Sequence, residues 1–121
     1  MKTPTLNACL RKKRLYINRT TIEQLGNPSH LGFWYDEKES LLYVSATSPD
    51  NLDAFEIPKN FWKSSGSFEV ARMPFLMVLQ YRLKWEKDSK YSYAGTSTCI
   101  RTPTDRIPAF VFKMTEGTKL R

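Results

Sequence analysis

The chain has little of what most enzymes work with. Its 121 residues include one histidine, two cysteines and five glycines. His30 follows Ser29, but nothing in the spacing of the remaining residues brings a nucleophile, a base and an acid together as a catalytic triad requires. No Gly-rich phosphate loop and no H-E-x-x-H pair occurs, and Asp36, Glu37 and Glu39 crowd a turn where acids are simply solvated. Cys9 and Cys99 stand far apart and form no C-x-x-C motif, so two reduced thiols are expected rather than a disulfide or a metal site. No apolar run approaches the roughly 18 residues of a membrane-spanning helix. The opening "MKTPTLNACLRKKR" lacks the apolar core of a secretory signal. These absences point to a cytoplasmic, non-enzymatic protein without cofactor, metal or membrane span.

What is present is core-forming material and positive charge. Hydrophobic residues make up 40% and aromatics 13%, enough for one domain with a real core and too much for disorder throughout. The net charge of +7 is unevenly placed. Residues 1–14 carry +5, through Lys2, Arg11, Lys12, Lys13 and Arg14 with no acid; residues 15–66 carry −3; residues 67–121 carry +5. A basic arm followed by a basic second half suits a polyanionic partner such as DNA. A solvated basic surface without a nucleic-acid partner is the plainer alternative.

Hydrophobic periodicity divides the chain. Residues 1–13 read as a flexible basic arm, and residues 14–121 as a single domain. "RLYINR" alternates as a half-buried strand. Thr20 with Glu23 three residues on forms a capping box, and Gly26 before Asn27-Pro28 closes a short helix. "HLGFWYD" and "LLYVSAT" make a hairpin around "DEKES". After a connector over residues 47–66, holding a short edge strand in "AFEIP", the pattern returns. "SFEVAR" alternates, Pro74 suits a first helical turn, and "PFLMVLQYRLKW" has a leucine stripe at Leu76, Leu79 and Leu83. "KYSYAGTSTC" and "AFVFKM" read as strands, with "IRTPTDRIP" a polar loop between them.

The two halves echo each other. Arg19 and Arg72 end the strands "RLYINR" and "SFEVAR", and at the offset between them Leu15, Ile17, Ile22 and Leu25 fall on Phe68, Val70, Phe75 and Val78. The expected fold is therefore α+β. Duplicated strand–helix–strand–strand units, residues 14–46 and 67–114, would pack together as one small swapped-hairpin-like β-barrel or sheet, because neither unit can bury a core alone.

"RLYINRTTIEQLG" with its following hairpin resembles the AbrB/SpoVT/MazE-type swapped-hairpin transcription factors. Arg14, Ile17, Leu25 and Gly26 match that family's spacing, while Asn18 stands where the family usually has proline. The resemblance covers residues 14–46 and extends weakly over 67–114, where the Leu-Gly helix end is missing. It implies an interlocked barrel that binds DNA, here as a monomeric pseudo-dimer or as a homodimer.

The candidate contacts follow from charge and geometry. Arg11, Lys12, Lys13 and Arg14 can neutralise phosphates without reading sequence, or dock an acidic protein, or keep the chain soluble. Arg19 and Arg72, at strand ends, can make bidentate contacts to phosphate or guanine, or pair with acids inside the fold. Arg82, Lys84, Lys87 and Lys90 suit the C-terminus of the second helix, or form a second phosphate patch. Most aromatics belong in the core; Trp34 alternates away from Phe33 and Tyr35 and is a candidate partner contact. The functions in view are a DNA-binding protein, possibly a transcriptional regulator, and a phage- or mobile-element-type interaction or inhibitor module for an acidic protein.

Overall fold

The structure is a computed structural model that describes residues 3–63, 66–71 and 73–120, the side chains of residues 73–75 excepted. It is dominated by antiparallel strands: β1 (Thr5–Cys9), β2 (Arg14–Ile17), β3 (His30–Asp36), β4 (Leu41–Ala46), β5 (Phe55–Glu56), β6 (Phe68–Val70), β7 (Lys90–Arg101), β8 (Arg106–Lys113) and β9 (Thr118–Lys119). Helices are few: α1 (Arg19–Glu23), α2 (Met73–Leu83) and a 3-10 turn over Lys59–Lys63. The sheet order is β5-β3-β4-β8-β7-β1-β2-β6, with β9 beside β7. This is a nearly closed, barrel-like sheet rather than a balanced α+β arrangement. None of the helices is long and apolar enough to cross a membrane.

Residues 5–9 are not part of a flexible arm. They form β1, hydrogen-bonded between β2 and β7, with Leu6 and Ala8 buried. Period-two alternation explains this: Leu6 and Ala8 point inward and Asn7 outward. The basic run that follows is the turn of the β1–β2 hairpin. The amide of Lys13 bonds the carbonyl of Leu10 at 3.2 Å, and Lys13 adopts a positive φ of 55°. The β3–β4 turn ends the same way at Ser40, φ 54°, while Asp36 Oδ1 accepts from the amides of Lys38 and Glu39.

The short helix is capped by Asn18 rather than Thr20. Asn18 Oδ1 accepts from the Thr20 amide at 3.1 Å, and the helix starts two residues earlier than the capping box implied. Asn and Thr are both competent caps, and here the Thr20 hydroxyl itself donates to Asn18 Oδ1 at 3.1 Å. The second helix also starts early, at Met73, and stops at Leu83. There Lys84 takes a left-handed φ of 54°, and the Trp85 amide reaches back to the Gln80 carbonyl at 3.2 Å, which is the Schellman arrangement. "IRTPTDRIP" is mostly strand: only residues 102–105 form the turn.

The core is the inner face of the barrel, with Leu6, Leu15, Ile17, Leu31, Leu42, Val44 and Phe112 nearly inaccessible. β2 and β6 pair as Leu15↔Val70 and Ile17↔Phe68, so α1, leaving after Ile17, and α2, following Val70, depart toward opposite ends. Ile22 and Leu25 close one end; Leu76, Leu79 and Trp85 close the other. The gap between edge strands β5 and β6 is covered by the 3-10 turn, where Phe61 meets Phe68 edge-on at 6.0 Å.

β7 serves two long neighbours, besides the short β9 at Tyr91 and Ser92. Residues 90–94 pair with β1, and residues 95–101 pair with β8. The change falls at Gly95, whose amide also bonds the Pro4 carbonyl at 2.9 Å. A Cβ at Gly95 would lie 2.7 Å from the ring of Phe112, its partner across the strands. The absent side chain lets that ring lie over the strand at the barrel corner.

Trp85 ties α2 to the barrel. Its Nε1–H donates to the Tyr93 hydroxyl at 2.6 Å, and its ring stacks on Tyr91 at 5.9 Å. Burial pushes the Tyr93 hydroxyl above its ordinary pKa of 10.0, with the Trp85 hydrogen bond acting in the other direction.

Two predictions follow from this packing. Phe112→Ala should cost about 3–5 kcal/mol, read by urea unfolding, because the cavity would sit at the strand crossing. Tyr93 should add stability that is complete below pH 10 and is lost as pH rises further, since the unfolded chain ionises first. In Tyr93→Phe that alkaline loss should flatten, while about 1 kcal/mol goes with the hydrogen bond at neutral pH; an unchanged alkaline slope would refute the assignment.

Candidate nucleic-acid interface

Five of the six basic residues singled out from the sequence lie in described segments, and they divide into two kinds. Arg11, Lys12 and Lys13 are exposed on the β1–β2 turn and take part in no ion pair among the described residues. Arg14 is half-buried and its Nη1 lies 3.4 Å from Glu69 on neighbouring β6. Arg19 lies on α1, where its Nε donates to Glu23 at 2.7 Å, an i,i+4 pair. The ion-pair alternative thus describes its contact. Arg72 falls outside the described residues. No single patch therefore unites the turn with Arg19: α1 caps the barrel end opposite the β1–β2 turn.

The turn instead meets cations from the second half. The Leu10 amide donates to the Ser89 carbonyl at 2.9 Å, which holds the β1–β2 turn against the loop between α2 and β7. That loop presents Lys84 and Lys87, and Lys90 opens β7 opposite Cys9; all three are exposed and outside any ion pair among the described residues. The helix dipole accounts for Lys84, directly after the last turn, but its effect fades within one turn and does not extend to Lys87 and Lys90. Over residues 10–14 and 84–90 there are seven cations and two acids, Glu86 and Asp88, leaving +5. Glu86 is engaged: its carboxylate pairs with Lys119 and its amide donates to the Tyr91 hydroxyl at 2.9 Å.

Beside this cluster a small apolar cavity of about 150 Å³ opens under α2, walled by Leu10, Leu15, Leu76 and Trp85 with Lys13 at its rim. The outer face of α2 exposes Met77, Val78 and Tyr81, the last 80% accessible. Arg82 is paired with Glu37 at the β3–β4 tip, 3.2 Å away.

The other candidates resolve into local contacts. Trp34 is 43% accessible, but its ring lies along β3 over Gly32, where an added Cβ would meet it at 3.0 Å. His30 Nδ1 is 2.9 Å from Ser29 Oγ, and Nε2 is 4.0 Å from Glu56 on edge strand β5, beyond hydrogen-bond reach. Cys9 is buried, Cys99 is exposed, and both are free thiols. No group of three or more His, Cys, Asp or Glu side chains among the described residues is arranged to hold a metal.

Sequence reasoning missed one arginine pair. Arg101 and Arg106 flank the β7–β8 turn, directly opposite each other, in the stretch read as a polar loop. The missed signal was alternation: Cys99 and Arg101 are exposed while Ile100 is half-buried.

Against family models, curated proteins and solved structures, the chain finds no match.

Proposed function

We propose that this chain is a small, non-enzymatic DNA-binding protein, of the kind that regulates transcription, and that it grips duplex phosphates through the cluster of Arg11, Lys12, Lys13, Lys84, Lys87 and Lys90. The observation that carries the reading is the Leu10–Ser89 hydrogen bond, which brings two sequence-distant basic segments onto one end of the barrel. Six exposed cations held on rigid turns, and outside internal ion pairs among the described residues, retain their full charge for an external anion. Such contacts position a duplex and carry no sequence information by themselves.

The reading extends to the architecture. The chain is a fused tandem of two β-β-α-β-β units, β1–β4 with α1 and β5–β8 with α2. Strand pairing supports this. β1 pairs with the other unit's β7, β5 pairs with β3, β2 pairs with β6, and β4 pairs with β8. In the β2–β6 register Tyr16 faces Glu69, the residue at the same offset that relates Arg19 to Arg72, as a local two-fold axis requires. This arrangement of exchanged hairpins is also what the swapped-hairpin resemblance implies.

A second reading, docking of an acidic protein, is favoured by the exposed Met77, Val78 and Tyr81 next to the same cations.

Titration of a random-sequence duplex separates these readings. With about six phosphate contacts, the log–log salt slope should be near −5, and affinity should fall about 10³-fold between 50 and 200 mM salt. Lys12→Ala with Lys87→Ala should make that slope shallower by about 2. Met77→Ser with Tyr81→Ser should leave duplex affinity unchanged. Absence of duplex binding at low salt sinks the DNA reading; a protein partner retained after nuclease treatment and lost in the Met77/Tyr81 variant establishes the second.

A further inference from the structure

We infer that the outer part of the β7–β8 hairpin is a nucleic-acid-gripping arm, with Arg101 and Arg106 as a paired phosphate or base-edge contact. The inference rests on the DNA reading above and adds a second contact at the opposite end of the barrel. Both strands of this hairpin outrun their neighbours. β1 accompanies β7 only as far as Ala94, and β4 accompanies β8 only from Lys113 to Ala109. Beyond those points, Cys99–Arg101 and Arg106–Pro108 form a two-stranded ribbon three pairs long, with no strand on either outer edge among the described residues. β4 ends at Ala46, before Ser48-Pro49 turns the chain away. Pro108 is compatible with an edge, since it has no N–H to leave unpaired there, and it discourages pairing with another strand.

The ribbon's charges lie past the core, on the face that continues from Phe110 and Phe112. Arg101 and Arg106 are directly opposite in register and therefore share a face; both are exposed, and neither joins an ion pair among the described residues. Like charges at such a site oppose folding. Asp105 does not relieve them through an ion pair: its carboxylate accepts from the Arg106 backbone amide at 2.7 Å and serves the turn. The other face is apolar, with Ile100 opposite Ile107, which keeps the two strands together. The β3–β4 hairpin has the same four-residue turn, yet it places Asp36 opposite Leu41 and is tied to α2 through Glu37 and Arg82. The β7–β8 tip has no such tether in any described ion pair. A two-stranded ribbon fits the major groove of B-form DNA, and adjacent guanidiniums can bridge phosphates or read guanine edges.

Position supports a joint contact. Lys90, in the basic cluster, and Arg101 are the two ends of β7. Eleven residue steps of strand span about 36 Å, close to one turn of duplex; because eleven is odd the two side chains leave β7 on opposite faces, so a duplex meets both only by following the twist of the sheet.

The test is Arg101→Ala with Arg106→Ala, compared with wild type and with Arg101→Lys plus Arg106→Lys, on an 18-base-pair duplex. The alanine pair should be folded and at least as heat-stable as wild type, since it removes a like-charge pair. Its salt slope should be shallower by about 2, and its affinity at moderate salt should be lower by about tenfold or more. The lysine pair should restore the slope and recover affinity only in part. Wild-type binding with an alanine pair of unchanged slope and affinity overturns the arm while leaving the basic cluster standing. No binding by wild type overturns both.

Discussion

β7 must pair with two different neighbours along one continuous strand, and the rest of the molecule depends on how it does so. Its first half completes a ladder with β1, and its second half completes one with β8. A strand cannot change partners at a barrel corner while carrying a side chain into the facing ring, and Gly95 under Phe112 resolves that conflict. Once this crossing is made, the order of the sheet places β1 and β2 on one side and the two hairpins on the other. Phe112 is fully buried because the crossing surrounds it.

The same strand separates the two cationic ends. At its beginning, Tyr91 and Tyr93 hold Trp85, and Trp85 anchors the end of α2. The loop carrying Lys84 and Lys87 is therefore fixed by buried aromatic contacts at its start and by the Glu86 and Ser89 hydrogen bonds further along. Toward the far end of β7 Gln24 and Leu25 lie beside Ser97 and Thr98, and the last three pairs of the hairpin continue past them with their arginines exposed. Basic groups on rigid turns and on a stiff ribbon lose less side-chain and backbone freedom on binding than groups on a loose arm. Under the proposed DNA reading, that difference is what the hairpin in residues 5–13 contributes over a loose arm.

Legibility in the sequence followed the strength of local signals. β3 and β4 were legible almost to the residue, because "HLGFWYD" and "LLYVSAT" flank a polar turn. β2 and α1 were placed within two residues, the error being the choice between Asn18 and Thr20 as the cap. β1 was missed, because Pro4 and the adjoining "RKKR" suggest an arm, whereas its five residues owe their order to hydrogen bonds with β2 and β7. The β7–β8 arm was missed because Pro103 and Pro108 read as breakers; proline is tolerated where a strand has an open edge, and openness is not a local property. Arg19 was read as a contact on equal terms with an ion pair and Arg14 as part of the basic segment; the distances of Arg14 to Glu69 and of Arg19 to Glu23 came only with the fold.

The sequence by itself determined the alternating strands, the turns, the two helices and the excess of positive charge, because each depends on residues within a few positions of one another. Tertiary structure decided which strands pair, that the basic run is a hairpin turn, and that Lys84, Lys87 and Lys90 join it. It also decided that Arg101 faces Arg106. These are long-range pairings, set by hydrogen-bond register and by burial of the shared inner face. A one-residue slip in register would turn every buried side chain outward, so the core that closes the barrel also dictates where its charges gather.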